Sequence, residues 1–332
     1  MPSIAAERTM HVAVGIVTER GKVFVTRREA GSHRGGEWEF PGGKLNPGED
    51  VLSALKRELH EELGMEVHAA RALMQVRHAY PGEEVLLDVW RVTAYSGAPR
   101  GREGQEGRWA GPEELWSLDF SAADWPIRRR LWLPSLYLIT DSRRFGRVEF
   151  LARLERALTA GARLIQLREP HMNDADYRTC AGVVIPLCHR HGAQVILHAA
   201  PEWAAELGAD GVHLTTRRLM ELTARPLETK YWVVASCHNA EELGRAKHIA
   251  ADFAVLSPVA RTTSHPGTEP LGWGNFRRLS VGANLPVYAL GGMRARDLPR
   301  ARAAGAHGLA MISGVWDALD PAAEVEKISR QD

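Results

Sequence analysis

This chain is poor in cysteine, has no surplus of one charge sign and contains no long apolar run. Each shortage closes off a class of function. Its three cysteines, Cys180, Cys188 and Cys237, show neither CxxC spacing nor an even count, which leaves no basis for a disulfide framework or a zinc site. A reducing compartment is the natural setting for such thiols. Lysine and arginine number 42 against 41 aspartate and glutamate, a formal net charge of +1. So balanced a chain offers no broad basic face to duplex nucleic acid or an anionic membrane, whereas a local basic pocket for phosphate stays open. Nowhere do enough apolar residues run together to cross a bilayer, and the opening MPSIAAERTMHVAVGIV lacks the basic start, apolar stretch and cleavage site of a secretory leader. These absences predict a cytoplasmic protein that handles small anionic ligands, with no duplex nucleic acid and no membrane among its partners; the oligomeric state stays open.

What is present is enough chain for two cores, since 332 residues exceed the size at which a single core stops growing. Residues 1–133 read as an α+β unit, with strand-like HVAVGIV, KVFVTRR and EVLLDVWRVTAY around one amphipathic helix from Asp50 to Leu63. Residues 134–332 change rhythm: LYLIT, RLIQL, QVILH, GVHL, YWVVA, DFAVL, PVYAL and GLAM are apolar pulses separated by amphipathic stretches. Eight buried strands, each with its crossover, are what a closed (β/α)8 TIM barrel requires. The junction PIRRRLWLPS carries Leu131, Trp132 and Leu133 where a flexible tether would carry Gly and Ser, so the two units are expected to pack together.

The densest chemistry lies in GGKLNPGEDVLSALKRELHEELGM. With Gly64 placed to end the helix in a left-handed cap, Val51, Leu55, Leu59 and Leu63 form a core-facing stripe. Glu58, Glu61 and Glu62 border it within an arc of roughly 100°. Like charges at this spacing destabilise a helix by roughly 0.2–0.5 kcal/mol a pair unless a cation lies between them. Magnesium, which takes one or two carboxylates together with waters and substrate phosphates, meets that need and polarises a pyrophosphate for attack by water. A solvated acidic face is the plainer explanation of the glutamates alone, but it leaves the fixed spacing of Gly43, Glu49, Arg57 and Gly64 unexplained. Together these residues stand at the spacing of the Nudix box, and the segment resembles that hydrolase family. The resemblance implies that Glu58, Glu61 and Glu62 are metal ligands, that Gly42 adds a backbone carbonyl, and that Glu49 and Arg57 form a bracing ion pair. It also implies a further metal-linked acid or base at Glu103, in GREGQEG, and a requirement for Mg2+ with Mn2+ as a substitute.

About 125 residues, through VAVGIV, VTRR, WEFPGGK, the YPG loop, GREGQEGRW and DFSAADWPI, resemble the MutT-type 8-oxo-dGTP diphosphatases in order. By that likeness Arg28 and Glu39 contact substrate and Tyr80 flanks the base, where an aromatic plane stacks for roughly 1–3 kcal/mol. One position departs: the family's purine-reading Asn is Asp124 here, in SAADWP. Ionised Asp only accepts hydrogen bonds, so contact to the purine O6 needs a protonated Asp or another donor, while the N7–H of an oxidised guanine can still be bound. The alternative for Asp124 is a helix N-cap before Pro126.

YLITD, QLRE, GADGVHL, ASCHNAEEL, SPV, LPVYALGG and GAHGLAMIS resemble thiamine phosphate synthases and the TenI-like thiazole tautomerases. The likeness implies a phosphate site at Gly291, Gly292, Ile312 and Ser313, although these glycines also suit tight turns. Gln166, Arg168, Ser236, Thr262 and Ser264 remain as pocket residues. Much of the family's pyrophosphate machinery does not: His198 and Ala199 replace Asn-Asp, Thr216, Arg217 and Arg218 replace Gln-Glu-Asp, and Pro170 and His265 replace two lysines. Without carboxylates for magnesium, weak or no synthase activity follows. His238, in SCHN, is either a proton shuttle for tautomerase-like chemistry or a polar lining residue.

The sequence therefore predicts a magnesium-dependent nucleoside triphosphate pyrophosphohydrolase, acting on 8-oxo-dGTP, with a barrel that binds a phosphorylated ligand. Two alternatives stand beside it. One is a thiamine-pathway enzyme that couples a Nudix pyrophosphatase to synthase or tautomerase chemistry; the other makes the barrel a non-catalytic sensor.

Overall fold

A computed structural model describes residues 9–29, 31, 35–80, 82–102, 105–228, 230–262, 267, 269–283 and 285–331. Its contacts divide the chain into two compact units, Met1–Trp132 and Leu133–Asp332.

In the first unit, β1 (Thr9–Ile16) is followed by β2 (Thr18–Glu19), β3 (Lys22–Arg27), β4 (Trp38–Glu39) and β5 (Gly42–Lys44). After helix α1 (Val51–Leu63) come β6 (Glu66–Tyr80), β7 (Glu83–Ser96) and β8 (Gly107–Ala110), then α2 (Pro112–Ser117), a 3-10 turn at Ala122–Asp124 and α3 (Trp125–Trp132). One sheet runs β5-β1-β7-β6, parallel between β1 and β7 and antiparallel elsewhere; the other joins β2, β3, β4 and β8. Helix α1 starts where the Asp50 side chain accepts from the Leu52 and Ser53 amides, and it ends at Gly64 with φ 68°. The face it buries is Ala54, Leu55, Leu59 and Leu63, packed with Ala13, Phe24, Met65 and Val92. Ala54 thus takes the core place expected of Val51, which is only partly buried against that cluster.

The second unit is a closed barrel of eight parallel strands in the order β10-β11-β12-β13-β14-β15-β16-β9. These are β9 (Leu136–Ile139), β10 (Leu164–Leu167), β11 (Gln194–Leu197), β12 (Gly211–Leu214), β13 (Trp232–Cys237), β14 (Phe253–Leu256), β15 (Val287–Ala289) and β16 (Gly308–Met311), one for each apolar pulse of the sequence. Helices α4 (Arg147–Thr159), α5 (Asp174–Arg190), α6 (Trp203–Leu207), α7 (Thr216–Glu221), α8 (Ala240–His248), α9 (Gly272–Val281), α10 (Leu298–Ala303), α11 (Ser313–Trp316) and α12 (Pro321–Ser329) complete it. Strand residues are buried on both faces, as parallel sheets covered by helices demand. Tyr137, Phe253 and Tyr288 pack against one another, with ring centroids 5.1 to 5.8 Å apart. No helix among the described residues is long and apolar enough to cross a membrane.

Candidate functional site

Arg57 organises the carboxylates of α1. Its Nε and Nη2 donate to the two oxygens of Glu49 at 3.0 and 2.8 Å, a bidentate pair, and Nη2 also reaches the Lys44 carbonyl at 3.1 Å. Nη1 donates to Glu58 at 2.6 Å and lies 3.4 Å from Glu61. These hydrogen bonds, Glu49 first and Glu58 second, push the Arg57 pKa upward. Arg57 therefore locks the loop before α1 to the glutamates on it.

The three glutamates do not converge as their angular spacing suggests. Among the described residues no group of three or more His, Cys, Asp or Glu side chains could hold a metal ion. Glu62 turns to the Gly42 amide at 3.0 Å, and Glu58 lies over Gly43, where an added Cβ would meet its carboxyl carbon at 2.2 Å. Glu61 stays half exposed beside Arg57. Mutual repulsion and a guanidinium that gathers only Glu58 and Glu61 account for the split. Gly42 thus holds Glu62 through its N–H, and its carbonyl is the group the resemblance assigns to a metal. The hard oxygen donors of Glu58 and Glu62 on one glycine turn still fit magnesium, which needs only one or two protein carboxylates. Glu103 lies outside the described residues.

Beside that turn opens a cavity of about 790 Å³ lined by Gly42, Gly43 and Lys44 together with Arg28, Glu39, Phe40, Tyr80, Ser121 and Asp124. All four expected substrate-contacting side chains thus share one cavity. Arg28 Nε donates to Glu39 at 2.6 Å. Burial raises the Glu39 pKa, against the pull of Arg28. Asp124 is buried, and burial pushes its pKa up to about 7. It does not cap α3; its Oδ2 accepts from the Ser121 hydroxyl at 2.7 Å.

The barrel mouth encloses about 280 Å³ lined by Gln166, Arg168, Ser236, His238 and Thr262 together with Gly291, Gly292, Ile312 and Ser313. Ser264 and His265 lie outside the described residues. The turn after β15 is sterically demanding whatever it binds: at Gly292, φ is 67° and a Cβ would come within 2.7 Å of the Arg261 carbonyl oxygen. His238 is held by Glu242 at 2.9 Å from Nδ1, with the Thr216 hydroxyl at 3.2 Å. His198 lies 3.3 Å from the Gln166 amide nitrogen, and burial, with Arg168 and Arg218 adding repulsion, pulls its pKa down to about 4.

Two further residues carry no mark in the sequence motifs. His213 bridges Tyr137 Oη at 3.1 Å and Ser236 Oγ at 2.8 Å deep in the barrel, and burial drives its pKa well below the usual histidine range. The period-two alternation of GVHL is the signal that could have found it. Ser121, three residues before Asp124, had no such signal, since its role depends on where Tyr80 lands.

Residues 12–130 match the family model described as NUDIX domain, and residues 136–315 match the one described as Thiamine monophosphate synthase. The chain is 35% identical over 125 residues to an 8-oxo-dGTP diphosphatase of Escherichia coli (strain K12), covering 37% of this chain and 97% of that protein. It is 30% identical over 191 residues to a thiamine-phosphate synthase of Desulfitobacterium hafniense (strain Y51), covering 57% of this chain and 92% of the relative. A solved thiamine phosphate pyrophosphorylase of Pyrococcus furiosus shares the barrel fold, with a TM-score of 0.50 and 23% identity over 59% of this chain and 94% of that one. The chain accordingly belongs to the Nudix family through its first domain and to the thiamine monophosphate synthase family through its second.

Proposed function

We propose that the first domain hydrolyses oxidised guanine nucleoside triphosphates, 8-oxo-dGTP foremost, to the monophosphate and pyrophosphate. The barrel, in this reading, binds a phosphorylated small ligand without making thiamine phosphate. The observation that carries it is the single cavity running from the Arg28, Glu39, Tyr80 and Asp124 group to the glycine turn on which Glu58 and Glu62 close.

The base stacks beside Tyr80 and meets Asp124, while the phosphates extend toward Lys44. Glu58 and Glu62 would hold Mg2+, with Mn2+ as substitute, and Glu61 and Glu103 are the candidates to join them. When bound, the ion neutralises phosphate charge and lowers the pKa of a water. Arg57 keeps Glu58 and the glycine turn in register. A water adds to phosphorus, the P–O bond to the bridging oxygen breaks, and a glutamate of α1 accepts the water's proton.

A second reading, thiamine-pathway chemistry, draws support from the family match of the barrel. Against it stand Ala199, Arg217 and Arg218 at the positions where the resemblance calls for carboxylates. A non-catalytic ligand-sensing barrel fits the same cavity. A panel of oxidised and ordinary nucleotides and thiazole and pyrimidine phosphates, ranked by kcat/KM, separates the readings. Glu62→Gln should lower release of pyrophosphate from 8-oxo-dGTP by roughly 10²–10⁴-fold. Unchanged turnover in that variant, or thiamine phosphate as the fastest-formed product, overturns the proposal.

A further inference from the structure

The barrel carries a second hollow that neither the hydrolytic step nor the barrel mouth uses. It is a groove of about 890 Å³, and Gly292, Met293 and Ser313 border both it and the mouth. Its basic side chains are Arg261, Arg294, Arg296 and Lys327. Local folding sets the three arginines together. Arg294 is extended, with φ −129° and ψ 160°, and Met293 and Ala295 on either side of it turn into the core at 5% and 4% exposed. The alternation leaves Arg294 and Arg296 outside. Arg261 is drawn alongside because the Val259 amide donates to the Leu290 carbonyl at 2.8 Å and the Ala260 amide to that of Gly291 at 3.2 Å.

The acids nearby are already committed. Asp317 pairs with Arg144, Glu324 pairs with Lys327, and Asp297 accepts from the Arg294 backbone amide at 2.9 Å. Among the described residues no carboxylate lies within ion-pair distance of Arg261, Arg294 or Arg296, and all three are exposed. Like charges confined to one groove repel one another, and a bound anion removes that cost.

The rest of the lining selects the anion. No aromatic ring faces the groove among the described residues, so nothing there stacks on a base, and a nucleotide or single strand gains only what its phosphates supply. Guanidinium groups bind phosphate oxygens through paired N–H donors. Three of them along one groove suit linked phosphates better than a single one. We propose that this groove is a binding site for a short inorganic polyphosphate, distinct from the barrel mouth and independent of magnesium.

The test is a calorimetric titration of the full chain with tripolyphosphate in the presence of a chelator, so that no divalent ion bridges the anion to the glutamates of α1. Tripolyphosphate should bind about tenfold or more tighter than orthophosphate, and Arg261→Gln, Arg294→Gln and Arg296→Gln should each weaken it by about tenfold. Arg168→Gln, which alters the barrel mouth, should leave its affinity unchanged. Absence of binding overturns the proposal, as does affinity that survives the three arginine substitutions combined. Equal affinity for orthophosphate removes the requirement for linked phosphates and overturns it as well. Loss of binding in Arg168→Gln alone would put the anion in the barrel mouth instead. An oligoglutamate of matching charge that binds as tightly would mark a groove for acidic peptide, again against the proposal.

Discussion

The first-domain cavity buries an acid, Asp124, whereas the barrel mouth buries two bases, His198 and His213. Burial does the same thing to all three, penalising the charged form, but the consequences run in opposite directions because an acid becomes neutral by gaining a proton and a base by losing one. Around the glycine turn that lines the first cavity stand charged groups, Arg57, Glu49, Glu58 and Glu62. At the barrel mouth the histidine is neutral and the cations Arg168 and Arg218 act on it without carboxylates of the kind the resemblance calls for. Both cavities suit phosphorylated ligands. Under the proposed function, catalysis belongs to the first cavity and ligand binding to the barrel.

The sharpest way to break this contrast is to unfold the two units at different pH values. Asp124 has a folded pKa of about 7, raised above its ordinary 3.8, so its contribution is fully present below 3.8 and is lost as pH rises toward 7. His198, lowered from 6.5 to about 4, contributes above 6.5 and loses that contribution as pH falls toward 4. The swings are roughly 4 kcal/mol for the acid and roughly 3 kcal/mol for the base, because each tenfold change in proton affinity is worth about 1.4 kcal/mol. Calorimetry from acid to mildly alkaline pH should show the first domain weakening with rising pH and the barrel weakening with falling pH. Asp124→Asn should remove most of the first slope, and His198→Gln part of the second, with His213 supplying the rest; parallel slopes that neither substitution alters would remove the contrast.

A smaller effect sharpens the first half of it. Arg57→Ala should lower hydrolysis by roughly a hundredfold, because one guanidinium holds both the loop and Glu58, and misplacement by about an ångström costs about that much. Arg57→Lys should recover little, since an ammonium cannot make the bidentate pair with Glu49. Full recovery by lysine would show that charge alone matters. Smallest of all, Asp50→Ala removes the cap of α1 and should cost about 1 kcal/mol of first-domain stability with kcat almost unchanged. A large loss of kcat would mean that the cap positions the glutamates as well.

Much of this is legible along the chain. The eight barrel strands announce themselves because each is short, apolar and flanked by polar crossovers, so local pattern and global burial agree. The Nudix helix is equally plain, since its cap, stripe and C-terminal glycine are local features. Strand β6 is hidden because register shifts between Val67 and Ala69, Ala69 and Ala70, and Ala72 and Met74 break the alternation that marks a strand. The convergence expected of the three glutamates fails for a related reason. Angular spacing on a helix places α-carbons, whereas Arg57, Gly42 and Gly43 decide where each carboxylate ends.

By itself the sequence determined two families, two folds and many of the groups in each cavity, though not His213 or Ser121, because spacing and periodicity are properties of neighbouring residues. Only the tertiary structure decided the ionisation of those groups and the direction of their hydrogen bonds. Tyr80 and Ser121 stand 41 residues apart, and no local rule relates them. Once folding brings them together and shuts out water, the same Asp that would be an ordinary anion on a surface becomes a group able to carry a proton near neutral pH.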